Sequence, residues 1–280
     1  MIPYNFDYYR PDTIDEAVQI FKQLDCQNKN PLYYGGGSEI ISMARVHNIH
    51  TRAVIDLKAI PENNVLEFQG DKLVIGSSVT LSRISESKLY PLLGKSSGRI
   101  ADHTMQCKIT LGGNIGGTII YRESVLPLLL SDSDVVIAGG NKIKQVSIHE
   151  VFNERLLLSK GEFIVQFIIG KEYATLPFVH VKKTKNEKID YPLISIAAIK
   201  KDNSIRFASS GVCPFPFRSS QVEECLNAKD DPLEVRAANA IKSLPSPILN
   251  DLSGTSSYRK FVLMNTLIST LETLEGCRNA

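Results

Sequence analysis

Two short stretches place glycine where a chain would come close to a ligand. Tyr34-Gly35-Gly36-Gly37-Ser38-Glu39-Ile40 carries three consecutive glycines, and Thr110-Leu111-Gly112-Gly113-Asn114-Ile115-Gly116-Gly117 holds four glycines and an asparagine. Backbone without Cβ atoms offers its N–H groups to a ligand unobstructed. A helix opening just past the first stretch would add unpaired N–H groups and the positive end of its dipole. That chemistry suits a pyrophosphate, and Asn114 adds a side chain that both donates and accepts. Taken singly, each stretch also reads as a plain turn. Neither matches G-x-G-x-x-G or the Walker pattern G-x-x-x-x-G-K-S/T, which argues against a nicotinamide Rossmann site and a P-loop. Two such loops far apart in the chain suit a ligand long enough to touch two subdomains, as a dinucleotide is.

Other reactive groups form no set. No Ser-His-Asp or Cys-His arrangement is defined by spacing, so no residue is assigned a catalytic role. His47 and His50 lack a third ligand and read as a solvated face. The five cysteines stand at positions 26, 107, 213, 225 and 277. They have no CxxC and no zinc or iron–sulfur spacing, and their odd number argues for a reducing compartment and against a disulfide framework. Cys107 reads as a small buried hydrophobe. Tyr4, Phe6, Tyr8 and Tyr9 read as subdomain core or interface.

The elements that must position the glycine stretches follow from pattern. Thr13 and Glu16 have capping-box spacing ahead of a helix over 10–25, whose Ala17, Ile20, Phe21 and Leu24 share a face. A strand at Leu32-Tyr33-Tyr34 leads into the first glycine loop, a helix spans 39–47, and Ala53–Leu57 is a strand. Pro61 marks a joint. Beyond it come a strand at Leu73–Gly76, helices over 81–105 broken at Tyr90-Pro91, the second glycine stretch as a loop, and a helix near 123–131. A hairpin of Asp134–Ala138 and Lys142–Val146 turns at Gly139-Gly140-Asn141, and a strand covers 161–170. From about 175 the pattern changes to three antiparallel strands, Phe178–Lys183, Ser195–Lys200 and Ile205–Val212, with Asp202-Asn203 as a turn. Helices near 219–227, 232–243 and 256–275 follow, which is an α+β arrangement.

Composition bounds the rest. The chain has 280 residues, 32 Lys+Arg against 30 Asp+Glu, a net charge of +2 and 43% hydrophobic residues. That length is comfortable for more than one domain and the hydrophobic fraction is that of a globular chain. The charge gives no reason to expect nucleic acid or a membrane surface as partner. No run reaches the ~18 apolar residues of a membrane helix, and the first residues do not read as a signal peptide, so the expectation is a cytoplasmic protein.

With these motifs in view the sequence resembles the flavin-binding, medium subunit of the molybdenum hydroxylases, the xanthine and carbon monoxide dehydrogenases among them. The family's Ala-Gly-Gly-Thr-Asp-Leu corresponds to Gly35-Gly36-Gly37-Ser38-Glu39-Ile40, and its Thr-Ile-Gly-Gly-Asn to Thr110-Leu111-Gly112-Gly113-Asn114. Val54–Leu57, Ile75–Leu81, Ile194–Ala198 and Tyr258-Arg259-Lys260 match its other segments. The resemblance implies an α+β fold. Two α+β subdomains, 1–60 and 61–173, would clasp FAD in the manner of the p-cresol methylhydroxylase/vanillyl-alcohol-oxidase-like flavin fold. A C-terminal α+β domain over 174–280 would carry a three-stranded antiparallel sheet and helices.

The same resemblance implies a cofactor site. Leu32, Tyr33, Tyr34, Gly35, Gly36, Gly37, Ser38, Glu39 and Ile40 would wrap the pyrophosphate of FAD, with Thr110, Gly112, Gly113 and Asn114 facing it from the second subdomain. Glu123 replaces a family Asp that holds a ribose hydroxyl; read alone, it is the acid at a helix start. Ile100 stands where some relatives have a flavin-neighbouring aromatic. Lys182 would approach the flavin ring, where a cation favours the reduced, anionic form, while the rest of Lys182-Lys183-Thr184-Lys185 reads as a solvated strand end. No metal ligand is expected on this chain. Electrons would come from a molybdopterin large subunit through a 2Fe-2S small subunit in a hetero-oligomer, and leave to NAD+ or another acceptor. The departures are Gly117-Thr118-Ile119-Ile120-Tyr121-Arg122 before Glu123, where Tyr121 or Arg122 is expected to stack on or pair with FAD; Gln106-Cys107-Lys108-Ile109 before Thr110; and Asn186 in place of an Arg. Two other classes stay open here, a stand-alone FAD oxidoreductase and a flavin-less structural or maturation module.

Overall fold

The computed structural model describes residues 2–140, 142–185 and 189–276; Asn141, Asn186 and Cys277, named above, lie outside them. Strands Asp7–Tyr9 (β1), Leu32–Tyr34 (β2) and Ala53–Asp56 (β3) form a parallel sheet in the order β1-β3-β2. Parallel neighbours need long crossovers, and helices Ile14–Cys26 (α1) and Ser38–Arg45 (α2) lie in them. The central strand β3 is buried along its length, as a strand covered on both faces must be. Thr13 caps α1 by accepting from the Glu16 N–H at 3.2 Å, but Glu16 returns its bond to the Asp12 N–H at 2.9 Å, one residue before the position a capping box requires. The N-terminal aromatics are not core: Phe6 and Tyr8 are exposed, Tyr4 stacks on His50, and of the four only Tyr9 packs against the first hydrophobic cluster. A three-residue strand at the sheet's edge has one face to bury, and Tyr9 is on it.

The second sheet is antiparallel, in the order β4-β5-β10-β6-β7, with β4 Leu66–Gln69, β5 Lys72–Gly76, β6 Asp134–Gly139, β7 Lys142–Ser147 and β10 Phe163–Gly170. Between β5 and β6 run Leu81–Ser87 (α3), Pro91–Ser97 (α4), His103–Gln106 (α5), Leu111–Gly116 (α6) and Val125–Leu130 (α7); Ile148–Val151 (α8) and a small hairpin, Phe152–Asn153 (β8) with Arg155–Leu156 (β9), precede β10. Every residue of α7 is buried, because the helix is wedged between this sheet and the next. Phe163 and Val165 of β10 share a cluster with Phe21, Leu24 and Ile55, so the first two sheets are joined through apolar packing.

The third sheet runs β11-β12-β13-β14, with β11 Phe178–Thr184, β12 Pro192–Lys201, β13 Ser204–Ser210 and β14 Phe217–Arg218. The meander follows expectation, and β14 adds a short fourth strand. Asp202 and Asn203 both have positive φ (49° and 61°), as a two-residue hairpin turn that matches strand twist demands. Helices Ser220–Leu226 (α9), Leu233–Lys242 (α10) and Ser256–Gly276 (α11) cover one face. Arg259 is fully buried there, donating to the Leu193 and Gly211 carbonyls and to Asp251.

One carboxylate ties the third sheet to the second unit. Asp132, just past α7, accepts from Arg206 (2.5 Å), Arg218 (2.6 Å) and His149 (3.0 Å). Burial works against its ionisation, but these partners outweigh it and hold the carboxyl well below the usual range. The same arginines donate to the Leu130 and Leu129 carbonyls at the end of α7, where the helix dipole favours cations.

Candidate functional site

The chain leaves β2 at Tyr34, passes Gly35-Gly36-Gly37 and enters α2. Gly37 caps the helix with φ +70°, and a Cβ there would lie 2.0 Å from the Tyr34 ring. Glycine is required for a second reason at Gly36: a Cβ would stand 1.8 Å from the Lys108 carbonyl oxygen. A Cβ on Gly35 would be 2.7 Å from Thr110 Oγ1. The two glycine stretches therefore touch each other, and part of their glycine content serves that contact. Among the described residues, none accepts a hydrogen bond from the N–H groups of Gly36, Ser38, Glu39 or Ile40.

The second stretch is not a loop. Leu111–Gly116 is a helical turn capped by Thr110, whose Oγ1 accepts from the Gly113 N–H at 3.2 Å. The Gly112 N–H donates to the Ser77 carbonyl (2.9 Å) and the Asn114 N–H to the Thr110 carbonyl (2.8 Å). The amides of Gly112, Gly113 and Asn114 are thus spent within the protein, and the stretch offers a wall and the Asn114 side chain. Asn114 Oδ1 accepts from the Ser124 N–H at 3.3 Å, which leaves its NH2 as the group for a ligand. Glu39 spans the two walls, accepting from the N–H (2.6 Å) and hydroxyl (2.5 Å) of Thr118.

Between the walls lies a cleft of about 930 Å³ lined mainly by apolar atoms. It is at the large end of small-molecule sites, which run to ~1,000 Å³. Leu32, Tyr33, Gly35, Gly36, Gly37, Ser38, Glu39, Ile40, Ile100, Thr110, Gly112, Gly113, Asn114, Glu123 and Lys182 all line it. Tyr34 does not: its ring packs behind Gly37 with the Lys58 ammonium 4.7 Å from its centroid. Tyr121 lines the cleft but stacks on Tyr191, rings 4.9 Å apart, and Arg122 spends its guanidinium on the Gly117 and Glu154 carbonyls. Tyr191 and Ile189 had no signal in the sequence. Cys107 is exposed, 3.7 Å from His103 Nε2; Gln106 takes the inward position instead and donates to the carbonyls of Gly98, Ile100 and Ala101. His47 and His50 stack on each other just past α2.

Glu123 and Lys182 meet at the base of the cleft, Oε2 to Nζ 3.0 Å, their side chains 4% and 2% exposed. Lys182 also donates to the Arg99 carbonyl at 2.9 Å. Burial pushes the Glu123 carboxyl up, against the pull of Lys182, Ser195 and Arg99. Glu123 Oε1 is buried without a partner. The two residues form one coupled, buried pair. His180 lies beside Lys182 on β11. Burial, with Lys95, Arg99 and Lys182 around it, lowers it to about 4. Its neutrality stabilises the fold at neutral pH, and that contribution is lost as pH falls from about 6.5 toward 4, because the unfolded chain takes the proton first. The urea midpoint of the wild type should fall over this range, and His180→Asn should flatten the fall.

A long cleft with an apolar interior, unpaired N–H groups on one wall and an orphaned carboxylate oxygen at its base fits a large cofactor that is anionic at its middle and aromatic at its ends. Such a lining suits a dinucleotide. Residues 4–171 match the model of the family described as "FAD binding domain in molybdopterin dehydrogenase". The chain belongs to that family, and its cofactor is FAD. It is 24% identical to the carbon monoxide dehydrogenase medium chain of Hydrogenophaga pseudoflava, covering 92% of this chain and 93% of that one. To the nicotinate dehydrogenase FAD-subunit of Eubacterium barkeri it is 20% identical, over 88% and 86% of the two chains. A solved structure of the Hydrogenophaga pseudoflava carbon monoxide dehydrogenase shares the fold at a TM-score of 0.84, 23% identity and 99% coverage of both chains. No helix among the described residues is long and apolar enough to cross a membrane.

Proposed function

We propose that this chain is the electron-transfer flavoprotein of a cytoplasmic molybdenum hydroxylase complex. Its electrons come from 2Fe-2S clusters on a small partner subunit, fed by a molybdopterin centre on a large one, and pass to NAD+ or another acceptor. The observation that carries this reading is the cleft itself, with free amides on one wall and the buried Glu123–Lys182 pair at its base. FAD supplies the redox chemistry there, and the protein binds, orients and tunes it. The N–H groups of Gly36 and Ser38–Ile40 hold the pyrophosphate, Asn114 and Thr110 its far side. Glu123 Oε1 accepts from a hydroxyl, and Lys182 sets the charge beside the ring. Residues 1–60 and 61–173 form the two halves of the clasp and 174–280 the third domain.

Isolation from the native source tests this. The chain should copurify with FAD, an iron–sulfur subunit and a molybdenum subunit, and substrate oxidised at molybdenum should bleach the flavin. A chain that comes alone, with its flavin reduced directly by a small substrate, would instead be a stand-alone oxidoreductase.

A further inference from the structure

The back of the first glycine loop is braced by residues that do not line the cleft. Lys58, in the 3-10 turn Leu57–Ala59 after β3, donates from Nζ to the Gly35 carbonyl at 2.9 Å and to Asp56 Oδ2 at 2.7 Å. The same ammonium lies over the Tyr34 ring, whose face supports Gly37. Asp56 is fixed in turn: its side chain is 4% exposed, its Oδ1 accepts from the Lys58 N–H at 3.0 Å, and its Oδ2 accepts from the Tyr8 hydroxyl at 2.6 Å. These bonds outweigh burial and lower the Asp56 carboxyl, and they push the Tyr8 phenol up to about 12.

In a trans peptide the carbonyl and the next N–H point in opposite directions. A cation that holds the Gly35 carbonyl from behind therefore turns the Gly36 N–H forward, toward the cleft that Gly36 lines. Three consecutive glycines have more backbone freedom to lose than any other tripeptide. An anchor on this peptide plane removes that freedom before a ligand arrives, which is how preorganisation raises affinity. The charge of Lys58 is already matched by Asp56, so it acts through the loop and not as a phosphate-binding cation.

We propose that Lys58, held by Asp56 and Tyr8, is the positioning residue of the pyrophosphate-binding loop. The inference rests on the reading that the Gly36–Ile40 amides receive the pyrophosphate of FAD. The test uses the full chain stripped of flavin, with FAD, ADP and riboflavin as probes; ADP carries the pyrophosphate and riboflavin lacks it. Lys58→Met should weaken FAD and ADP about tenfold or more, the scale of one organising hydrogen bond. Riboflavin binding should stay unchanged. Lys58→Arg should restore both ligands to within about threefold of wild type, since it keeps the donor and the charge. Asp56→Asn should show the same selectivity with a smaller loss. Wild-type affinity for FAD and ADP in Lys58→Met would overturn the proposal, as would an equal loss of riboflavin, which would make Lys58 a structural residue only. A wild-type chain that binds FAD but not ADP would overturn the reading of the loop, and the proposal with it.

Discussion

Gly36→Ala should lose FAD binding and much of its stability together. The new methyl would stand 1.8 Å from the Lys108 carbonyl oxygen, 2.8 Å from its carbon and 3.3 Å from the Ile109 Cα. All three are backbone atoms, so no side chain can rotate away and the two walls of the cleft must separate. Overpacking a close contact typically costs about 1–3 kcal/mol, and a clash with backbone on both sides places this variant at or above about 3 kcal/mol. Separation would also break the Glu39–Thr118 bonds that span the walls. Gly116→Ala is the control. It lines the same cleft, but its methyl would meet only Leu156 Cδ2 at an ordinary 3.6 Å. Urea unfolding and FAD titration of the two variants should differ sharply; equal behaviour would mean that the walls do not meet as described.

Lys182→Met should be nearly as damaging, for an electrostatic reason. It leaves Glu123 buried, with one oxygen already without a partner and the other deprived of the one cation that bonds it among the described residues. Breaking a buried pair by removing one member costs about 3–5 kcal/mol, whereas removing both costs much less. The double variant Lys182→Met/Glu123→Leu should therefore be more stable than Lys182→Met alone. The sign with pH follows. Glu123 is already raised by burial, and loss of Lys182 raises it further, so the folded state binds a proton that the unfolded state releases. The deficit of Lys182→Met should shrink as pH falls below neutrality. A double variant less stable than the single one, or a deficit that grows with acid, would show that the pair is not coupled.

Much of this fold was legible because it rests on local pattern. The α1 stripe, the hairpin after Gly139, the meander and its Asp202-Asn203 turn all follow from period and turn chemistry. The second glycine stretch was misread for an energetic reason. Glycine disfavours helix by ~1 kcal/mol per residue, yet the Thr110 cap and the complete burial of Leu111 and Ile115, four residues apart, prevail. Cys107 was misread because thiols are so commonly buried; in the short turn His103–Gln106 it is Gln106 that faces inward. The walls of the cleft were legible from glycine, but their mutual contact was not, because a missing Cβ does not say which atom took its space. Nor could spacing reveal that Glu123 and Lys182, 59 residues apart, share one buried bond. Lys58 and Tyr191 carry no motif at all. Their roles come from tertiary placement.

In the proposed function FAD lies between the Gly35–Ile40 loop and the wall from Thr110 to Glu123. Amide hydrogen exchange of the full chain, with and without FAD, tests it most directly. One FAD per chain should bind and slow exchange at residues 36–40 and 118–123, with the strands of the third sheet little changed. A chain that retains no flavin, or one whose protection on FAD binding falls outside both walls, would contradict it.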